Sequence, residues 1–475
     1  MTTNTTETTE TTATARTPEM GARTNPFFLM AGLYLTVGLL AVGGKLAGGT
    51  GLIDALPRLR WLTIHFVTIG AMTQALFGAL PSLAASVRKG ESRVNGESAG
   101  KDETPPARGR WLQWLALNAS YPLVLLGMAT GALTTAAVGA TGVLFALALL
   151  VASVYRTNLG GRGADGSESD AAGGGLLRYY AIAPWFLGVG LLAAFGMLLN
   201  YHGPGGYFGS LEAHVHANVW GFLALVAAGT LLAVIPALAD AELRYPRLVP
   251  VTFWGVTLGA VGLVAGPWLA INPLTMAGLA VYVVGTLALL ANLVGTWRAG
   301  GEWTDSRFAH VLGAYVWLVF PVPWAPLVLL FPETVPAAGI EAAAIEGLVF
   351  GWMLQLAMAL LPSVVVALRE TPGDVRKSIG EAAHRPPWLG VLAVNAGMLA
   401  LWTTAFPAFG AVEELLTLGG YALVGLAWLG FLPGLWRALL GEEELNRGAD
   451  RGPDRGPARG RDAEQVGEGA ESLSD

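Results

Sequence analysis

Two histidines one residue apart, His214 and His216, are the residues whose type and spacing most directly suggest ligand chemistry. They lie at the start of a long apolar stretch, where burying a polar ring costs free energy, so function is the default hypothesis. On an α-helix, residues i and i+2 point about 200° apart, so the two rings are expected to face opposite sides of one span. They therefore cannot hold one metal ion jointly. Either each ring serves its own partner, or one ligates while the other packs.

The composition is that of an integral membrane protein, with 53% hydrophobic and 13% charged residues. The 64 glycines and 16 tryptophans suit packed membrane helices. The chain has no cysteine, which excludes disulfides, thiolate-bound clusters and covalently attached c-type haem. Any haem must therefore be held without thioether links.

Apolar stretches recur along residues 25–440, and each is near the roughly 20 residues that a helix needs to cross a bilayer. They fall at 26–44, 61–86, 111–133, 136–155, 179–200, 213–237, 249–271, 274–297, 308–331, 342–368, 388–408 and 415–435. The predicted fold is an all-α polytopic membrane protein of about 12 transmembrane helices. Residues 1–24 and 441–475 are predicted to be disordered tails, and 87–110 and 157–177 flexible cytoplasmic loops.

Basic residues predict the orientation of these spans. With the N-terminus inside, 25 of the 28 lysines and arginines fall in cytoplasmic segments, and Lys45, Arg58 and Arg60 fall outside. This asymmetry follows the positive-inside rule. The sequence therefore predicts a multi-pass protein of the cell membrane with both termini in the cytoplasm. The lipid bilayer is then a partner, and no nucleic-acid partner is expected.

A faint internal repeat links three of the spans. The second span reads His65-x4-Gly-x-Met-x-Gln-x5-Leu-Pro-Ser, and the tenth repeats this from Glu346 at a constant offset of 281. The sixth span shares only the His216-x4-Gly part, at an offset of 151. The pattern predicts three four-helix units with a pseudo-threefold arrangement, and a chance match of few positions is the alternative.

The predicted topology brings His65, His214 and His216 to one depth, about one turn in from the outer face. A six-coordinate haem needs two axial imidazoles on opposite faces, and His65 with His216 (or His214) can supply them. Arg58 and Arg60 lie five to seven residues before His65, and arginine suits haem propionates. The alternative is a pair of interfacial arginines that extend to lipid headgroups.

Glu346 takes the position of His65 in the repeat. It is a candidate proton carrier, hydrogen-bond partner to a ligand imidazole or weak metal ligand. An interfacial cap near Glu341 is the competing interpretation.

At these residues the chain resembles haem–copper oxidase subunit I, nearest the cbb-type oxidases and nitric oxide reductases. The resemblance rests on His214-Val-His216-Ala with the following Gly-Phe, Gly, Leu and Pro, and on Pro57-Arg-Leu-Arg60 before His65. It implies that the second histidine of the pair and His65 ligate a low-spin haem b, and that the first ligates a high-spin haem. The spacing is also similar to NnrS, the twelve-span haem and copper proteins linked to nitric oxide stress.

The chain departs from that family in two ways. The histidine pair is on the sixth span instead of the tenth, which the repeat could explain. The oxidase copper site needs three further histidines, two of them adjacent, but the remaining residues His202, His310 and His384 lie on both faces. A complete oxygen-reducing centre is therefore not expected, although copper at His214 stays an alternative to a second haem.

Three functions remain open at this point. The first is a b-type haem protein that transfers electrons, or binds or detoxifies a diatomic gas such as O2 or NO, with a cytochrome or quinol as electron donor. If it is an enzyme, it would be an oxidoreductase of the oxidase or nitric oxide reductase type. The second is a twelve-helix transporter that uses histidines for proton or substrate coupling. The third is a non-catalytic membrane subunit of a respiratory complex.

Overall fold

A computed structural model describes residues 25–48, 58–94, 107–159, 174–331, 333–370 and 385–441. The predicted tails therefore lie outside the described residues, apart from Gly441. In the first half of the described chain the α-helices are α1 Pro26–Leu46, α2 Leu59–His65, α3 Gln74–Val94, α4 Ala107–Thr130, α5 Leu133–Leu159, α6 Gly174–Leu198, α7 Gly206–His216 and α8 Ala224–Ala239. In the second half they are α9 Leu248–Trp268, α10 Asn272–Gly300, α11 Ser306–Val319, α12 Trp324–Leu330, α13 Ala337–Glu346, α14 Gln355–Glu370, α15 Trp388–Thr403 and α16 Glu413–Leu440.

The protein is an all-α polytopic membrane protein, as the sequence predicts. Eleven helical segments of the described chain are long and apolar enough to cross a membrane. The predicted span at 388–408 is shorter, because α15 ends at Thr403 after 16 residues and a turn and the 3-10 helix Pro407–Val412 follow. The segments predicted as loops are partly helical, since α3 reaches Val94 and α5 reaches Leu159.

The three repeated spans share a break in their helical geometry. A π-helix follows α2 at Phe66–Thr73 (π1), α7 at Ala217–Leu223 (π2) and α13 at Gly347–Leu354 (π3). The α-helix before each of them ends on His65, His216 or Glu346, respectively. Wide π-turns are rare and cluster at functional sites. We call each boundary between the leading α-helix and its π-helix a junction.

Glycine makes the same contact at all three junctions. A Cβ atom on Gly70, Gly221 or Gly351 would overlap an aromatic ring of the preceding span. Those rings belong to Tyr34 on α1, Phe186 on α6 and Trp317 on α11. The absence of a side chain therefore lets each π-helix lie directly against its neighbour.

Helix packing repeats with the same period. The hairpins α4–α5, α9–α10 and α15–α16 each pack closely, and π1, π2 and π3 each pack on α1, α6 and α11. Together with the three junctions, this confirms the three-unit arrangement predicted from the repeat. We call outer the face that holds Lys45, Arg58 and Arg60, following the predicted orientation.

Candidate functional site

His65 is the last residue of α2, at the first junction. Its Nδ1 lies 2.8 Å from the backbone oxygen of Trp61 one turn earlier. A carbonyl only accepts, so the ring carries its proton on Nδ1. The Trp61 indole stacks on the imidazole with ring centroids 3.7 Å apart, which fixes the ring further.

His214 and His216 direct their rings to different helices. His214 Nδ1 lies 2.8 Å from the Gly190 oxygen on α6, whereas His216 Nδ1 lies 2.9 Å from the Leu263 oxygen on α9. The Asn218 amide nitrogen lies 3.0 Å from His214 Nδ1, and the amide oxygen Oδ1 has no hydrogen-bond partner among the described residues. If the amide is flipped so that Oδ1 takes the place of the nitrogen, Oδ1 accepts a hydrogen bond from the His214 Nδ1–H that also donates to Gly190.

All three imidazoles therefore share one protonation pattern. Nδ1–H is donated to a backbone carbonyl, and within the described chain no residue hydrogen-bonds with Nε2. This is the usual arrangement of a metal-binding histidine, because the hydrogen bond at one nitrogen fixes the tautomer and leaves a lone pair on the other. The donor set fits the axial positions of a haem.

The three rings do not converge on one small ion. In the described parts of the chain, no group of three or more His, Asp or Glu side chains could hold a metal. His65 lies within electrostatic range of His214, whereas His216 is directed to α9 and meets the edge of Trp220 with ring centroids 5.6 Å apart. Of the pair, His214 is thus the ring within electrostatic range of His65.

Glu346, at the third junction, uses one carboxylate oxygen for two contacts. The Tyr421 hydroxyl donates to its Oε1, and Arg60 Nε lies 3.8 Å from the same oxygen. Lys45 Nζ donates to the Tyr421 hydroxyl and lies 3.8 Å from the centroid of that ring. We call these four residues the outer ion network. It joins α1, α2, α13 and α16.

The network changes the roles available to the two outer arginines. Arg60 is bound to Glu346 and also donates to the Ala342 backbone oxygen at 3.2 Å. Arg58 is exposed, has a left-handed backbone with φ of 62°, and makes no ion pair with a described residue. Arg58 is therefore the more available cation for an anionic group near His65.

The other predicted polar residues lie apart from this layer. His202 lies in the loop before α7, where its Nε2 is 3.2 Å from Asn200 Oδ1, and His310 is fully buried in α11. His384 lies outside the described residues. Gln74 pairs with Asn118, and Gln355 with Asn395, so both glutamines link helices.

A buried ion pair lies at the inner end of α11. Asp305 caps this helix and accepts from the backbone and guanidinium of Arg307, and both side chains are less than 5% exposed. Burial disfavours the ionised carboxylate, but the hydrogen bonds and charge of Arg307, with the charge of Arg385, lower the pKa of Asp305. The pair anchors the inner end of the ninth span.

Several positioning groups carried no signal in the sequence. The carbonyls of Trp61, Gly190 and Leu263 are backbone atoms, so their residue types do not mark them. Gly190 is special in another respect, because a Cβ there would overlap the Asn218 side chain beside His214. Tyr421 and Lys45 are 376 residues apart, and only the fold brings them together.

No known protein-family model matches this chain, and no curated protein matches it. The fold nevertheless defines its class. It is a many-helix membrane protein in contact with the lipid bilayer. Its three repeated spans place two histidine-bearing junctions and one glutamate-bearing junction near the same face.

Proposed function

We propose that this chain is a b-type haem protein of the cell membrane, with His65 and His214 as the axial pair of a low-spin haem. One observation carries the proposal: three intramembrane imidazoles each donate Nδ1–H to a backbone carbonyl and keep Nε2 free. Burying an imidazole whose Nε2 lone pair has no partner costs free energy unless a ligand binds to that nitrogen. The proximity of His65 to His214 supports this pairing over the one with His216.

A bound haem would supply reversible one-electron chemistry and, where an iron position stays open, a site for a diatomic gas. The chain contributes the rest. Trp61 and Trp220 cover the rings of His65 and His216. Arg58 is the cation nearest in sequence to His65 that is not already paired within the described chain, and it suits a propionate.

His216 is the residue that would extend this function. Its Nδ1 donates to the Leu263 carbonyl on α9, so its free Nε2 lies on the other side of the ring and points away from α9. A second haem held by His216 alone would leave one axial position open for O2 or NO. Electron transfer from a cytochrome or quinol, or binding and detoxification of such a gas, are the activities that fit this arrangement. Copper at His214 is the alternative to a second haem, and in the described chain no group of three or more His, Asp or Glu side chains surrounds either ring.

The test is absorption spectroscopy of the purified full chain from haem-replete cells, with haem counted per chain. We expect a Soret band and reduced α-bands, and a carbon monoxide shift in any fraction with an open iron position. Colourless protein would overturn the proposal and favour the transporter alternative. Copper analysis of the same sample decides between the haem-only and copper-bearing forms.

Single variants then assign the ligands. His65→Ala and His214→Ala should each remove the low-spin bands, whereas His216→Ala should leave them and abolish any carbon monoxide shift. His202→Ala is the matched control, because this ring lies in a loop and should change neither signal. Loss of the low-spin bands in His216→Ala, with retention in His214→Ala, would reverse the pairing.

A further inference from the structure

A cavity lies where the three repeated spans meet. Its wall includes Met72, Leu223 and Met353, which are related by the repeat offsets of 151 and 281. A deeper layer, Ala79, Thr230 and Leu360, follows the same offsets. The cavity therefore lies on the pseudo-threefold axis of the molecule, and all three units contribute equivalent residues to it.

The wall is apolar almost throughout. Thr230 is the one hydroxyl-bearing residue of the lining, and its Oγ1 is already 3.2 Å from the Tyr180 hydroxyl. A cavity holds water only where polar groups can bind it, and an apolar cavity stays dry. The other polar side-chain group of the lining is the Trp352 indole N–H, and almost none of the cavity surface is polar, so the site is poorly suited to an ion, a sugar or a peptide.

The cavity size restricts the ligand further. Its volume is about 100 Å³. An apolar protein cavity of roughly 150 Å³ binds xenon or benzene and remains free of water. A space of this size admits a diatomic gas or a noble-gas atom.

We infer that this cavity is a binding site for small apolar gas molecules, at the centre of the three units. Met72 and Leu223 belong to π1 and π2, and each follows a junction histidine by seven residues. The cavity thus begins about two helical turns below the junction histidines. If the proposed haem is bound there, the cavity would hold gas on the same three spans, and this part of the inference rests on the proposed function.

Xenon is the probe, applied under pressure to crystals of the full chain. We expect one anomalous peak between the three spans. Ala227→Leu should lower its occupancy roughly tenfold, because added carbons fill a space that packing leaves open. The first unit already has leucine at this repeat position, Leu76, so the substitution is one the scaffold accepts elsewhere. Ala357→Leu is the second variant, at the equivalent position of the third unit.

Ala148→Leu is the matched control, since Ala148 is exposed on α5 and does not line the cavity. Absence of a xenon peak, an unchanged peak in both filled variants, or density for a lipid chain in the cavity would overturn the inference. Xenon binding does not depend on haem. A xenon peak in colourless protein would therefore support the gas-binding cavity and overturn the haem proposal. In haem-containing protein, filling the cavity should also change the rate of carbon monoxide rebinding.

Discussion

The first and third junctions place different residues on the same backbone. At the first, His65 ends an α-helix, donates one N–H to a carbonyl and keeps its other nitrogen free. At the third, Glu346 occupies the equivalent place, but Tyr421 and Arg60 occupy its carboxylate. One junction is open to a ligand, and the other is closed by side chains of the chain itself.

The repeat preserves one property of these spans and leaves another free to vary. It conserves backbone geometry, namely an α-helix, a π-helix and a glycine beneath an aromatic ring. The chemistry depends on the last α-helical residue and its neighbours. Imidazole is a good ligand for haem iron, and a carboxylate between two cations is a good structural link.

Exchanging the junction residues should have the largest effect on haem binding. His65→Glu gives the first junction the residue of the third, and it should abolish the low-spin haem spectrum, because a carboxylate replaces the axial imidazole. Glu346→Gln should keep that spectrum, since Glu346 binds only side chains. The low-spin bands and the haem content per chain are measured by absorption spectroscopy of both variants. Equal haem loss in the two would mean that the junctions do not differ in function.

Substitution of the three glycines tests the backbone geometry that the junctions share. Gly70→Val, Gly221→Val and Gly351→Val should each lower the free energy of unfolding by about 3 kcal/mol, because the new side chain overlaps a packed ring. Gly430→Val is the control, since nothing lies within 4 Å of a Cβ built there. Thermal unfolding in one detergent compares all four. A large loss at the histidine junctions alone would contradict a shared scaffold.

Removing the carboxylate of the outer ion network should have a smaller effect. Glu346→Ala leaves Tyr421 and Lys45 without their anionic partner, and about 2 kcal/mol of stability should be lost. Tyr421→Phe should cost about 1 kcal/mol, because it removes one hydroxyl. The exposed neighbour Glu341→Ala is the control for both. Destabilisation by Glu341→Ala equal to that by Glu346→Ala would show that the network adds nothing.

The smallest effect is expected at the inner ion pair of Asp305 and Arg307, the counterpart of the outer ion network at the other face. The folded pKa of Asp305 is lowered, so its contribution to stability is fully present above the ordinary aspartate value of about 3.9 and is lost as pH falls through the folded value. Thermal unfolding between neutral and acidic pH should therefore show less acid sensitivity in Asp305→Asn than in the parent. The same acid sensitivity in both would contradict this assignment.

Much of the fold could be predicted from the sequence. Apolar stretches gave the spans, and the histidine, glycine and glutamine spacing gave the three units. The π-helices had no signal of their own, because π and α geometry place similar demands on residue type. The end of α15 was predicted five residues too late, since apolar residues continue into the turn after Thr403.

The site was predicted less completely. The residue types of His65, His214 and His216 were enough to mark them. Their directions depend on the carbonyls of α6 and α9, which no side chain reveals. Arg60 was expected near haem propionates. Its contact with Glu346 depends on tertiary packing over 286 positions of the chain.

The π-helices also set the rotational phase of each span. Residues before and after a π-helix do not share one regular helical register, so the outer and inner halves of a span can present faces that an unbroken helix would not align. One residue of α-helix corresponds to about 100° of rotation. Deleting a single residue within π1 would therefore rotate His65 by about 100° relative to α3.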